Sequence, residues 1–308
     1  MPYRRSYRNR GAPRTTRRTS RRRYSAKKSY SRPTTRTKKI YRRTSKKRIL
    51  NITSKKKRDD MLILTNVLPD RSRPTTYSSS FAQISGGVVA SEEYTFLWCA
   101  TARSNLLGTS PPVTPDDAAT RTATTCFMRG LKEVCELQVT TGLPWQWRRI
   151  VFAMRGTTPT FNVGGNFYLA NLTSNGYRRT VNEIFGAGKT QFYHLLFAGA
   201  QGTDWNDPLI AKIDTVRVDL KYDRTRTIAS GNEQGMIRAY RHWHPLNKNL
   251  VYDDDQNGGD NDPYLFSVSD KRGMGDLMVV DIFRPRGGST TNDLLTFKPQ
   301  ATLYWHEK

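Results

Sequence analysis

Positive charge is concentrated at one end of this chain. Residues 1–58 contain 25 lysines and arginines and no acidic residue, whereas residues 59–308 carry 26 basic and 26 acidic side chains. The formal charge of +25 therefore belongs entirely to the first segment. A run of like charges with few apolar residues cannot bury enough surface to offset the entropy lost on ordering. The sequence predicts a disordered basic arm over 1–58 and a neutral folded domain over 59–308.

The arm combines cations with aromatic side chains. Lysine and arginine bind phosphate with a strength that comes from counterion release and ignores base sequence. Five tyrosines are interleaved with them, and tyrosine rings can stack on unpaired bases. A solvated solubility tail is the alternative, but so many like charges repel one another unless a polyanion neutralises them. The residues we expect to bind single-stranded nucleic acid are Arg4, Arg5, Arg8, Arg10, Arg14, Arg17, Arg18, Arg21, Arg22, Arg23, Lys27, Lys28, Arg42 and Arg43.

Three compact basic runs within the arm also resemble nuclear localisation signals. This role is compatible with nucleic-acid binding, and the sequence does not rank the two. The nuclear-localisation candidates are Arg21, Arg22 and Arg23, then Lys46, Lys47 and Arg48, then Lys55, Lys56, Lys57 and Arg58.

Beyond the arm, short runs with the two-residue period of β-strands are separated by loops rich in Gly, Pro, Asn and Asp. In "LKEVCELQV" (131–139) one face holds Leu131, Cys135, Leu137 and Val139, so Cys135 is expected in the core. About nine such runs and few helix signals predict an all-β fold, a sandwich or barrel with few short helices, and the long loops favour a jelly roll over a propeller. Three of the other predicted strands are "VRVDLKYD" (216–223), "QFYHLLFAG" (191–199) and "DLMVVDIF" (276–283).

The stretch "EIFGAGKTQFYH" (183–194) contains GAGKT, the end of a phosphate-binding loop. The complete motif requires a glycine where this chain has Glu183, and it requires a strand before the loop and a helix after it. The sequence instead predicts a helix over 177–186 that ends at Gly186, followed by the strand at 191–199. We therefore expect no nucleotide hydrolysis, and no enzyme activity, although Lys189 remains a cation able to meet phosphate.

Two other patterns suggest metal sites only partially. "DDDQNGGDNDPY" (253–264) begins like a calcium loop but lacks the bidentate glutamate at the twelfth position, which is Tyr264. A polar surface loop is the favoured interpretation, and weak binding of a divalent ion by 253–262 stays open. His242 and His244 lie two apart and could begin a zinc site, but two further ligands are not evident. We expect no resident metal and no cofactor.

Two further features of the sequence bear on where the chain works. No apolar run approaches the roughly 18 residues of a membrane span, and no apolar signal-peptide core follows the first arginines. The three cysteines are too few for a disulfide framework. We therefore expect no membrane partner and synthesis in a reducing compartment.

The order of several segments resembles known viral coat proteins. "RHWHPLNKNLVYDDD" (241–255), followed by "DLMVVDIF" and the terminal "ATLYWHE" (301–307), is similar to the closing part of geminivirus coat proteins. The opening "MPYRRSYRNR" and the central "RRIVFAMRG" (148–156) resemble the capsid proteins of genomoviruses, the gemycircularvirus group, over essentially the whole chain. Geminivirus coat proteins carry a zinc-finger-like Cys and His segment near the arm. This chain has neither residue type before Cys99, so metal-assisted DNA binding is not implied.

The resemblance implies a single eight-stranded jelly roll (an antiparallel β-sandwich) with long loops, in a capsid protein that self-assembles into a small icosahedral (T=1) shell of about 60 copies. It also implies packaging of circular single-stranded DNA, a nuclear import receptor as a host partner, and location in the virion and the host nucleus. Long segments at 101–125, 155–190 and 253–275 are then expected to make subunit contacts and the outer surface. The alternative is a cellular nucleic-acid-binding protein with a basic extension, like some ribosomal proteins. Such a protein would be expected to have a basic folded surface as well.

Overall fold

A computed structural model describes residues 46–87, 92–107, 110–112, 116–156, 166–258 and 260–308. The chain divides into two units, Met1–Ile49 and Leu50–Lys308, and only the last four residues of the first are described. Two helices are present in the described residues, α1 (Lys46–Thr53) and α2 (Gly186–Leu196). None of the described helices is long and apolar enough to cross a membrane.

Eight long strands build two sheets. They are β1 (Lys55–Met61), β4 (Tyr94–Cys99), β7 (Thr125–Val139), β8 (Trp145–Met154), β12 (Asp219–Ile228), β13 (Met236–Val251), β16 (Asp276–Pro285) and β17 (Leu294–Glu307). The short strands are β2 (Ile63–Thr65), β3 (Ala82–Ser85), β5 (Leu106–Leu107), β6 (Ser110–Pro112), β9 (Leu172–Thr173), β10 (Gly176–Tyr177), β11 (Arg179–Val181), β14 (Asp255–Asn257) and β15 (Asp260–Asp262).

The long strands pair in a nested order. Along the chain, the first pairs with the eighth, the second with the seventh, the third with the sixth and the fourth with the fifth, all antiparallel. The first sheet has the order β1-β17-β7-β13, with β3 added beside β17, and the second has the order β12-β8-β16-β4. This nesting defines a jelly roll, so the predicted fold class is confirmed.

The two sheets differ in how many of their faces are covered. Strands β4, β8 and β16 are buried at almost every position, whereas β7 and β17 alternate between buried and partly exposed residues. The second sheet packs on the first with one face, and its other face is covered by α2 and the chain that follows it, including Phe192, Leu196, Phe197 and Trp205. The first sheet therefore keeps one face toward solvent.

Four charged side chains lie between the sheets and form an ion-pair ring. Glu133 of β7 binds Arg149 of β8 and Arg179 of β11, with 3.0 Å from Arg179 Nε to Glu133 Oε1. Asp281 of β16 accepts a hydrogen bond from Arg179 Nη2 at 2.9 Å and lies 3.8 Å from Arg149 Nε. All four side chains are at most 1% exposed. Burial alone would raise the pKa of Glu133, but the two guanidinium groups lower it to about 2.

The core on either side of the ring confirms the predicted inward residues of β7. Leu131 packs with Met128, Val151 and Trp305, whereas Cys135, Leu137 and Val139 pack in a second cluster with tryptophans and phenylalanines of both sheets. All three cysteines are buried and free.

Three expected elements are wrong. The stretch 191–199, predicted as a strand, belongs mainly to α2, and 177–186, predicted as a helix, contains the strand β11, which pairs in parallel with β2. The buried positions of α2 recur every three or four residues, a helical period that the mixed apolar run concealed. The strand predicted at 216–223 begins at Asp219, because Asp214 Oδ1 accepts a hydrogen bond from the Val216 N–H in a turn that leaves Val216 95% exposed.

The boundary of the basic arm also shifts. Residues 46–53 are helical, and β1 begins at Lys55, four residues before the predicted start of the folded domain. Strand β1 lies at the edge of the first sheet and pairs with β17 along its length. It forms because its alternate residues Lys57, Asp59 and Met61 are buried. The described part of the segment predicted to be disordered is therefore helix and strand.

Removing one carboxylate from the ion-pair ring should be severely destabilising. Glu133→Ala leaves Arg149 and Arg179 buried without their shared partner, which we expect to lower the free energy of unfolding by about 3–5 kcal/mol. The matched control is Glu136→Ala on the same strand, whose partly exposed pair with Lys298 (3.0 Å) should contribute under about 1 kcal/mol. Urea unfolding followed by tryptophan fluorescence measures both. Equal losses for the two variants would contradict the assigned role of the ring.

Candidate nucleic-acid interface

The predicted DNA-binding residues of the arm, Arg4 to Arg43, lie outside the described residues, as do the nuclear-localisation candidates Arg21, Arg22 and Arg23. Their roles stay predictions. The next candidates, Lys46, Lys47 and Arg48, lie in the first turn of α1.

The last basic run, Lys55 to Arg58, lies in strand β1, which corrects the prediction that it is disordered. Its role as a nuclear localisation signal stays a prediction. Lys57 is 4% exposed, and its Nζ atom lies 3.1 Å from Glu307 Oε2 and donates a hydrogen bond to the Thr120 carbonyl at 2.8 Å. Lys55 pairs with Asp116 at 2.9 Å. The buried Lys57 ties β1 to the sandwich, whereas the pair of Lys55 is exposed. Lys56 and Arg58 face outward, with Arg58 Nε 3.7 Å from Asp60 Oδ2.

The exposed face of the first sheet carries an aromatic pair. Strand β13 alternates so that His242 and His244 point inward and Trp243 between them points outward, 51% exposed. The Trp243 ring lies 5.8 Å from the Tyr304 ring of β17, at 62° between their planes. Gly130 of β7 lies beneath it, since a Cβ there would approach Trp243 Cζ2 to 2.6 Å. The missing side chain of Gly130 lets the indole lie across the sheet.

Cations surround this aromatic pair. The register places Arg58 beside Tyr304 and Lys132 beside Trp243, and Arg241 faces the same way two residues before Trp243. Across the outward face of β1, β17, β7 and β13 there are six cations and two carboxylates. The cations are Lys56, Arg58, Arg129, Lys132, Arg241 and Lys298, and the carboxylates are Asp60 and Glu136.

The carboxylates of this face are engaged within it. Asp60 Oδ1 accepts a hydrogen bond from Thr302 at 2.6 Å, and Glu136 pairs with Lys298. The pKa of His306, on the same face, is lowered by burial and by the neighbouring cations Arg129 and Lys56. The face is thus electropositive and presents aromatic rings, a combination suited to unpaired bases and their phosphates.

Trp243 and Tyr304 are not among the nucleic-acid-binding residues predicted from the sequence. The signal was present in "HWH", because in a strand two inward histidines require an outward residue between them.

His242 and His244 are instead stacked beside the ion-pair ring. Their ring centroids are 5.8 Å apart with 7° between the planes, and Tyr222 contacts both edgewise. Burial lowers the pKa of His242 to about 3, with Arg149 adding to the effect, and lowers that of His244 to about 4. Among the described residues, no group of three or more His, Cys, Asp and Glu side chains is placed to hold a metal.

The GAGKT stretch opens the helix α2, which reverses the expected element order. A strand, β11, does precede it, so the order of a phosphate-binding loop is present. The lysine is not free to bind a phosphate, because carboxylates occupy its surroundings. Lys189 Nζ lies 2.9 Å from Glu93 Oε1 and 3.6 Å from Glu92 Oε1. Glu183, at the position where the motif needs glycine, is buried against Arg71 and Arg73. Lys189 holds α2 to the chain before β4 through these carboxylates.

The acidic segment 253–262 forms the hairpin β14–β15 in its described part. Asp254 is bound by Arg121, whose Nη2 lies 2.8 Å from Asp254 Oδ1, and this pairing lowers the pKa of Asp254 against the effect of burial. The carboxylate at the base of the hairpin is therefore already neutralised by a guanidinium group.

Comparisons with known proteins give little further identification. No protein-family model matches the chain, and no curated protein matches it. Among solved structures, it is similar to VP1 of Trichodysplasia spinulosa-associated polyomavirus, solved in complexes with 3'-sialyllactose and 6'-sialyllactose. Identity is 12% in both, over 83% of this chain and 93% of that one, with TM-scores of 0.13 and 0.12.

The buried histidines predict a loss of stability on mild acidification. The pKa of each is lower in the folded chain than the ordinary 6.5, so the unfolded chain binds more protons as the pH falls below 6.5. Between pH 7 and pH 5 each histidine should remove about 2 kcal/mol from the free energy of unfolding. The ring carboxylate Glu133 does not titrate in this window, because its pKa is about 2.

Urea unfolding at several pH values tests this, with the double variant His242→Gln, His244→Gln as the comparison. Its unfolding free energy should change less than that of the unaltered chain between pH 7 and pH 5. The same dependence in both chains would show that these histidines are not neutral and buried.

Proposed function

We propose that this chain is a viral capsid protein that assembles into a small icosahedral shell and packages circular single-stranded DNA. The observation that carries the proposal is the partition of charge. Every excess cation precedes Asp59, and residues 59–308, which form all of the jelly roll except the start of β1, are neutral. A neutral folded surface suits association with copies of itself, while the basic segment suits a polyanion. The likeness of its segment order to genomovirus capsid proteins supports the same assignment.

The charge and length of the arm are of the right order for this role. With about 60 copies in the simplest shell, the 21 cations that precede Ser54 bring about 1,260 positive charges, which can neutralise a similar number of phosphates by direct contact. A flexible segment of 45 residues, the length that precedes α1, spans roughly 37 Å root-mean-square, enough to reach into a small shell from its wall. The segments 101–125, 155–190 and 253–275 then supply subunit contacts and the outer surface.

Nuclear entry is part of the proposal and depends on the remaining basic runs. Lys57 is bound to Glu307 inside the sheet, so 55–58 is a poor ligand for an import receptor. The runs at 21–23 and 46–48 are the better candidates, with the virion and the host nucleus as the proposed locations.

A cellular nucleic-acid-binding protein is the second candidate, and the cationic face of the first sheet is the observation that favours it. Such a protein would bind as a monomer. An enzyme is the third, with GAGKT as its only motif, and the pairing of Lys189 with Glu93 argues against a nucleotide there.

Removing the N-terminal segment tests where DNA is bound, and the start of β1 sets the position at which the chain is shortened. A chain beginning at Ser54 keeps β1 and the pair of Lys57 with Glu307, whereas one beginning at Asp59 leaves Glu307 buried without its lysine. We expect the full chain to bind single-stranded DNA with an affinity that falls steeply with salt, by about 0.7 log units per log unit of salt for each phosphate neutralised.

The chain from Ser54 should fold but lose most of this salt dependence, because 21 of the cations are gone. Fluorescence anisotropy with labelled oligonucleotides at several salt concentrations measures it, and circular dichroism checks folding. An undiminished salt slope in the truncated chain would place the DNA site outside the arm.

A further inference from the structure

Trp243 is set apart from the other tryptophans of the chain. All six lie in the described residues, and the other five are at most 8% exposed. Trp243 is 51% exposed on the outward face of β13. So large an apolar ring is usually mostly buried. Its ring contacts that of Tyr304 at 62° between the planes, and about half of the side chain remains exposed to solvent.

The surroundings of this ring favour a polyanion over a second copy of the chain. Within the described residues, neither Lys132 nor Arg241 forms an ion pair, and both are exposed beside Trp243. Two copies joined through this face would bring their cations together, which is unfavourable. A single-stranded nucleic acid offers phosphates for the cations and bases for the rings.

The edge strand β1 adds cations to the same face. Its residues Lys56 and Arg58 face outward beside His306 and Tyr304 of β17. Cations therefore flank the aromatic pair on the side of β1 as well as on the side of β13.

We propose that the outward face around Trp243 and Tyr304, flanked by Lys132, Arg241 and Arg58, is a second DNA site that stacks unpaired bases. This rests on the proposed function, since it assumes that the chain binds single-stranded DNA. The arm contacts phosphates, whereas this face adds a contribution that depends on the bases. The site would distinguish single strands from a duplex, whose bases are already stacked.

The test uses the full chain with two oligonucleotides of 30 residues, one of thymidines and one abasic with the same phosphates. The dissociation constants of both are measured at high salt, together with quenching of tryptophan fluorescence. The variants are Trp243→Ala and Trp243→Phe, and the matched control is Ile237→Ala, on the same strand and face and 66% exposed. Sedimentation records the assembly state of each.

We expect the unaltered chain to bind thymidines at least about five-fold more tightly than the abasic strand, with clear quenching. Trp243→Ala should bring this ratio down toward the level given by the arm tyrosines, abolish most of the quenching and leave the salt slope unchanged. Trp243→Phe should keep part of the preference, and Ile237→Ala should keep all of it.

An unchanged ratio and unchanged quenching in Trp243→Ala would overturn the proposal. So would a variant in which assembly fails while the ratio stays the same, because the face would then be a contact between subunits. Failure of the proposed function gives a different result, in which the full chain binds neither oligonucleotide at any salt concentration.

Discussion

The structure depends on a buried ring of ion pairs between its two sheets. Glu133, Arg149, Arg179 and Asp281 come from four different strands, and their charges sum to zero in a space without water-exposed atoms to solvate them. Burying each charge alone would cost several kcal/mol, which is offset only when all the partners are in place. The ring therefore requires β7, β8, β11 and β16 to adopt one mutual register. Arg179 also lies over the Trp98 ring at 4.3 Å, which adds β4 to the same assembly.

With the strands in this register, the two sheets differ in how many of their faces are covered. The second sheet has both faces covered, one by the first sheet and the other by α2 and the residues after it. The first sheet presents its outer face, with cations and the pair Trp243 and Tyr304, next to the edge strand β1. Buried charge and apolar packing thus hold the two sheets together, and the exposed cations gather on the outer face of the first sheet.

Much of the fold could be predicted from the sequence because the long strands are periodic. The alternation of apolar residues in β7 and the apolar run of β16 were sufficient to predict these two strands. The helix α2 was missed because Phe192, Tyr193, Leu196 and Phe197 lie in one short apolar run that fits strand and helix alike. The ring could not be found, since nothing local shows which arginine meets which carboxylate. Of the candidate interface, the basic arm stays a prediction from composition, whereas the sheet face could be found only from the strand register.

The mass of the particle formed with DNA distinguishes a protein that assembles into a shell from one that binds DNA as a monomer. The full chain, mixed with circular single-stranded DNA of a few kilobases, is examined by electron microscopy and by mass measurement of the intact particles. We expect closed shells of about 60 copies that contain the DNA, with the jelly roll in the wall. Monomers bound along the DNA without a closed shell, at every salt and protein concentration, would contradict it.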